Sequence, residues 1–234
     1  MHDRSSSEEA LLEVIGRTVA RGGTVIIPSF AVGRAQSLLF HLYRLKNSGH
    51  LANVPVFLDS PMAIDASDIF CRHLADPECR NSCAVGYVRS VKESKRLTAD
   101  PTSKVIISAS GMATGGRVLH HLKRYAPDAK NTILFAGFQA AGTRGAAMVA
   151  GAESVKIHGD QILSRAEVQN LDMLSAHADA DEILRWLRRF TKPPLRTFIV
   201  HGEATASDTL RRRIVGELGW RCLVPDHGQR VELA

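Results

Sequence analysis

Residues 104–125 read KVIISASGMATGGRVLHHLKRY, and the fold is decided there. Val105, Ile106 and Ile107 make a short β-branched run of the length expected for a buried strand. A glycine-rich loop, residues 110–116, follows it, and residues 118–125 resume at helical spacing. The same pattern recurs on both sides. Residues 24–27 (TVII) stop at Pro28 and lead through the loop 29–33 into a helix over 34–46. Residues 56–58 lead through Asp59-Ser60-Pro61 into a helix that reaches Phe70. Residues 132–136 form a further strand before the loop 137–145. At the N-terminus, Ser5-Ser6-Ser7 before Glu8-Glu9 opens a helix that closes at Gly22-Gly23. Strand–loop–helix repeated about four times predicts an α/β fold with a doubly wound, mostly parallel sheet. The loops PSFAVGR, LDSPMA, ASGMATGGR and GFQAAGTRG then leave the carboxyl ends of strands, where such sheets bind ligands. Residues 84–103 show no clear period and are expected to be irregular or an edge segment.

The texture changes near residue 155. Residues 155–158 and 165–171 are expected to form two antiparallel strands about a Gly159-Asp160 turn. Asp179, with Asp181 or Glu182, caps a helix through Phe190. Residues 197–200 form a strand that ends in His201-Gly202-Glu203. A last helix runs from Ser207-Asp208 to Leu218, and residues 221–224 form a last strand. The boundary is placed near residues 150–160, giving domains 1–154 and 155–234.

The chain has 234 residues, 44% hydrophobic and 23% charged, which excludes disorder as the main state. No apolar run approaches the roughly 20 residues of a membrane span, so no membrane partner is expected. Residues 1–10 lack the apolar segment of a signal peptide. Four cysteines (Cys71, Cys79, Cys83, Cys222) are too few for a disulfide scaffold, which predicts thiols and a reducing, cytoplasmic setting. The loose spacing of Cys71, Cys79 and Cys83 favours thiols over a zinc site. Aromatics are 6%, which argues against base stacking as the main recognition device. The net charge is +6, and most of it falls within residues 101–150, where Lys104, Arg117, Lys123, Arg124, Lys130 and Arg144 face the lone acid Asp128. A polyanion meeting this stretch gains counterion-release affinity; solvated helix faces explain the clustering equally well.

Three loops could hold phosphate. In the first, Ser110, Gly111, Gly115, Gly116 and Arg117 sit between a strand and a helix, so small residues and the helix N-terminus suit an anion. The loop matches neither G-x-G-x-x-G nor G-x-x-x-x-G-K-[ST], and a tight turn that needs glycine for its dihedrals is the competing account. Gln139 and Arg144 offer an amide and a guanidinium in the second. Arg34, opening a helix after Pro28-Ser29-Phe30, is the third. Further on, Ser175 and His177 lie just before a helix N-terminus, a position that lowers an imidazole's pKa and leaves it exposed. His201 follows a strand directly. No G-x-S-x-G elbow is present, which removes the serine-hydrolase reading.

Taken together, GGTVIIPSFAVGRAQSLL, VFLDSPMA, KVIISASGMATGGRVLHHL, ILFAGFQAAGTRG, LSAHADADEIL and IVHGE resemble the β-CASP family of metallo-β-lactamase-fold RNA nucleases. The resemblance spans nearly the whole chain in the family's order. It implies a β-CASP domain followed by the closing portion of a metallo-β-lactamase αββα fold. It also implies a ribonuclease that hydrolyses single-stranded RNA with two zinc ions. His177 matches the family's general acid or phosphate partner at the leaving group, and His201 matches its last metal ligand. Arg34, Ser110, Gly111, Gly115, Gly116, Arg117, Gln139, Arg144 and Ser175 match segments that line the RNA cleft.

The family's H-x-H-x-D-H motif is absent, since none of the ten histidines forms an H-x-H pair. The resemblance therefore implies that an upstream metallo-β-lactamase portion is missing and that these residues alone bind no zinc pair. Apolar faces such as Leu184, Leu187 and Ile199 are then expected to be partly uncovered and to promote homo-oligomers or poor solubility. Two rivals stand beside this reading, a non-catalytic RNA-binding or scaffold paralogue and a generic nucleotide- or sugar-phosphate-binding protein.

Overall fold

The computed structural model describes residues 4–73, 81–82, 85–171 and 177–232. The chain divides into two compact units, Met1–Ser175 and Ala176–Ala234. In the first, the elements run α1 (Arg4–Ala20), β1 (Val25–Pro28), α2 (Arg34–Asn47), β2 (Val56–Leu58), α3 (Pro61–His73) and β3 (Gly86–Tyr87). They continue as α4 (Val91–Ala99), β4 (Val105–Ser108), α5 (Val118–Tyr125), β5 (Thr132–Phe135), α6 (Arg144–Val149), β6 (Ser154–Ile157), β7 (Asp160–Leu163) and β8 (Glu167–Asn170).

Six strands pair in the order β3-β2-β4-β1-β5-β8, parallel throughout. Because strand side chains alternate faces, Ile27, Leu58 and Ile107 pack with α1, α2 and α3 in one core. Ile26, Ile106 and Ile133 pack with α4, α5 and α6 in the other. Burial on both faces is why the sequence reads as continuous β-branched runs. The chain leaving β1 travels toward β2, whereas the chain leaving β4 crosses to β5. These diverging connections open a crevice beyond the carboxyl ends of β1 and β4.

Residues 84–103 hold the expected edge segment, β3, and also a helix, α4. Ser90 caps it by accepting from the Glu93 N–H at 3.2 Å, and the Glu93 carboxylate accepts from the Ser90 N–H at 2.8 Å. Its far end is closed by Lys104, which is 0% exposed and donates to Leu97 O at 3.2 Å and Asp100 O at 2.6 Å. An ammonium there satisfies the last carbonyls and the negative end of the helix dipole.

The hairpin differs from expectation. β6 pairs antiparallel with β7, not with residues 165–171, and β8 joins β5 in parallel. Glu167 explains the choice, because its carboxylate accepts from Arg17 and sits 2.8 Å from Arg21, tying the strand to α1. Residues 155–171 are part of the compact unit Met1–Ser175.

Burial pushes the Glu167 carboxyl up, but hydrogen bonds from Arg17, Arg21 and Gln169 outweigh it and hold its pKa at about 2. A carboxylate with a depressed pKa stabilises the fold above its unfolded value and loses that contribution as pH falls toward its folded value. The pair is partly solvated, so we expect E167Q to cost about 1 kcal/mol at neutral pH. In thermal melts the gap between wild type and variant should shrink from pH 5 downward; a gap independent of pH would contradict the ion pair.

The second unit holds α7 (Ala180–Leu187), β9 (Thr197–Phe198), α8 (Ala204–Leu218) and β10 (Cys222–Leu223), with β9 and β10 parallel. Asp179 accepts from the Glu182 N–H at 2.8 Å, and Glu182 answers at 3.1 Å to the Asp179 N–H. Leu184 and Leu187, expected to be partly uncovered, are buried with Ile214 and Trp220, while Ile199 is partly buried against them. The apolar stripe of α7 is satisfied by α8 inside its own unit. Exposed apolar groups of this unit include Trp186, Leu195 and Val200. Cys71 is disulfide-bonded rather than a thiol, while Cys222 is free.

Candidate nucleic-acid interface

The loops after β1, β4 and β5 converge on one end of the sheet. Ser29, buried, donates its N–H to Ser108 O at 3.0 Å, which locks the start of the β1 loop to β4. Phe30 follows, and its carbonyl accepts from the Ala35 N–H at 3.2 Å. Gly111 meets this loop so closely that a Cβ there would sit 3.0 Å from the Phe30 ring. Gly116 has φ +75°, and a Cβ would lie 2.6 Å from Ala109 O. Turn geometry thus requires Gly116, Gly111 is tightly packed against Phe30, and Gly115 has open space around it.

Ser110 Oγ lies 3.0 Å from Thr114 Oγ1. The first amides of α5 are already used, Val118 to Ala109 O and Leu119 to Gly116 O, both at 3.3 Å. The helix N-terminus therefore offers an anion less than the sequence suggested. The Gly115 and Gly116 N–H groups have no acceptor among the described residues.

Gln139 acts as a staple. Its Nε2 donates to Gly111 O, Gly137 O and Phe138 O, each at 3.2 Å, joining the β4 and β5 loops. Arg144 does the same, with Nε to Lys156 O at 2.5 Å and Nη1 to Ala113 O and Thr114 O at 3.2 Å. These partners are neutral carbonyls, and no carboxylate pairs with Arg144 among the described residues.

Arg117 points inward. It donates to Asp59 Oδ1 at 2.7 Å, Val88 O at 3.0 Å and Arg89 O at 2.7 Å. Asp59, which sequence reasoning did not single out, is 0% exposed and also accepts from His121 Nε2 at 2.8 Å and Ser94 Oγ at 2.5 Å. Burial pushes its carboxyl up, and the hydrogen bonds from His121, Ser94 and Arg117 carry it below the usual range. The charge of Arg117 is thus balanced inside the protein by Asp59, not directed toward a ligand.

The basic surplus of residues 101–150 shrinks accordingly. Lys104 is a buried cap, Arg117 is neutralised by Asp59, Lys123 pairs with Asp160 at 2.7 Å and Lys130 with Asp128 at 3.5 Å.

Arg34 behaves differently. Its Nε is buried with no acceptor, and burial lowers its pKa from the usual guanidinium value. Its Nη2 lies 3.5 Å from where a Gly137 Cβ would stand. No carboxylate pairs with it among the described residues. A half-buried cation without a counter-charge is costly unless a ligand supplies one.

In the second unit, His177 is exposed two residues before the Asp179 cap. His201 is exposed with φ +65°, three residues past β9, whose regular pairing stops at Phe198. Gly202 beside it is close-packed, since a Cβ would lie 2.5 Å from Ser207 Oγ. Ser175 lies outside the described residues. Among the described residues no three His, Cys, Asp or Glu side chains gather in a way that could hold a metal ion.

Residues 35–148 match the model of the Beta-Casp domain, and residues 162–225 match that of the Zn-dependent metallo-hydrolase RNA specificity domain. The chain is similar to ribonuclease TTHA0252 of Thermus thermophilus, at 37% identity over 82% of the chain and 46% of that protein. It is similar to transcription termination factor FttA of Methanocaldococcus jannaschii, at 34% identity over 90% of the chain and 36% of the factor. An RNase J-like protein of the same organism is 32% identical over 96% of the chain and 54% of its own length. The chain therefore spans about half, or less, of the length of these curated relatives.

Proposed function

The chain belongs to the β-CASP family, and on that premise we propose that it serves the hydrolysis of single-stranded RNA by gripping the phosphodiester backbone. The grip lies at the carboxyl ends of β1, β4 and β5. Arg34 carries this reading. Its buried Nε lacks an acceptor, and a phosphate oxygen supplies both the hydrogen bond and the counter-charge, in the planar geometry a guanidinium favours. The unbonded amides of Gly115 and Gly116 and the charge of Arg144 add further donors and field at the same sheet end. The RNA specificity model and the ribonuclease names among the relatives make RNA the polyanion of choice.

Within this proposal His177, exposed ahead of a helix N-terminus, donates a proton to the leaving oxygen. His201 would be one ligand of a metal ion. A zinc site takes three or four protein ligands, and the described residues gather no three, so they do not by themselves fit the ion. That observation also favours a second reading, in which the chain binds RNA without cutting it.

The 234-residue chain is expected to bind single-stranded RNA with log affinity falling linearly in log salt, at about 0.7 per phosphate contacted, and to leave the RNA intact in added zinc. Filter binding over a salt series and gel analysis of the recovered RNA check both. Chelator-sensitive cleavage would refute the second part. Equal affinity for mononucleotides and oligomers would favour the small-phosphate rival.

A further inference from the structure

Two phenylalanines stand in solvent on the same loops. Phe30 is 51% and Phe138 is 61% exposed, yet the backbone carrying each is firmly held. Phe30 sits between buried Ser29 and a carbonyl that accepts from the Ala35 N–H at 3.2 Å, and its ring packs on Gly111. Phe138 lies between Gly137, whose φ of +126° favours glycine, and Gln139, whose amide pins the Phe138 carbonyl at 3.2 Å. Because that amide also holds Gly111 O, the Phe138 backbone and the Phe30 ring flank the same residue. Gly137 in turn borders the Arg34 guanidinium, whose Nη2 lies 3.5 Å from where a Gly137 Cβ would stand.

We propose that Phe30 and Phe138 form a stacking platform for the bases of single-stranded RNA beside a phosphate held by Arg34; the proposal rests on the RNA-binding reading above. Aromatic rings on a pinned backbone lose little conformational entropy on meeting a ligand. A nucleotide presents a flat π face and an anion one sugar apart, which matches rings beside an uncompensated guanidinium. An apolar protein surface would cover the rings but leave the buried Arg34 Nε without an acceptor, so a base with its phosphate is the better occupant. Overall aromatic content argued against stacking; the placement of two rings at the sheet end argues for it.

The test uses the full chain and two oligomers of equal length and charge, oligo(A) and its abasic ribose-phosphate counterpart. Wild type should prefer oligo(A) by about 5- to 150-fold per stacked base. F138A should lose most of that preference while keeping its affinity for the abasic oligomer and its salt slope. F138Y should retain the preference, and an RNA carrying 2-aminopurine should be quenched by wild type and F138Y but not by F138A. Equal affinity of wild type for both oligomers overturns the platform and leaves the backbone-binding reading standing. Failure to bind either oligomer removes that reading and the platform with it. A change in sedimentation of F138A without any change in base preference assigns the rings to self-association and also overturns the proposal.

Discussion

D59A should lower the stability of the first unit by about 3–5 kcal/mol, the usual loss when one partner of a buried charged cluster is removed. Three donors converge on this carboxylate, from Arg117, His121 and Ser94, and they come from different elements. Ser94 lies in α4 and His121 in α5, while Arg117 reaches on to the Val88 and Arg89 carbonyls beyond β3. Alanine at 59 leaves His121 buried without its acceptor and Arg117 without its counter-charge. Domains of this size keep only about 5–15 kcal/mol in hand, so the urea midpoint should drop steeply. D59N should cost less, because its carbonyl still accepts from one donor and the His121 ring can change tautomer to accept from the new amide. D59A with R117M should lose less than the two single losses added together, since both remove the same contact. Additive losses, or a D59A midpoint at the wild-type value, would show that the cluster does not hold the edge of the sheet. The carboxyl's lowered pKa sets the pH sign: its contribution is present above the unfolded value and fades as pH falls below it.

Such a network is invisible in the chain because sequence patterns report neighbours along one element. The four central strands were legible since residues buried on both faces must all be apolar, as Ile26, Ile27, Ile106 and Ile107 are. The tight loops at the strand ends were legible from glycine, and Gly116 does sit where a side chain cannot. What periodicity could not convey was which cation meets which partner across the sheet. Asp59 and His121 are 62 residues apart, and Arg144 finds its carbonyls 30 and 31 residues away. Helix α4 escaped because its buried face is only Ser94 and Leu97, with Lys104 supplied from outside it; the Ser90-x-x-Glu93 capping box was the signal that could have found it. β8 was drawn into a hairpin by proximity along the chain, and the ion pairs of Glu167 with α1 settled it elsewhere.

R34M separates grip from fold, because the two respond in opposite directions. In the free chain Arg34 Nε has no acceptor and its burial already disfavours the charge. Methionine keeps an unbranched apolar stem of similar reach, so its stability should match or exceed wild type. RNA affinity should nevertheless fall about 10- to 150-fold, the value of a charge-assisted hydrogen bond of about 1.5–3 kcal/mol. The salt slope should flatten by about 0.7, one single-strand phosphate contact. R34K should recover the slope but only part of the affinity, since an ammonium keeps the charge and loses the planar fork. R117M supplies the contrast: its partners are Asp59 and two carbonyls, so it should lose stability first and affinity only as the fold weakens. Urea midpoints measured beside RNA titrations on the same preparations distinguish these behaviours. An R34M chain that melts early and binds RNA as tightly as wild type would make Arg34 a packing residue and leave the phosphate grip without its anchor.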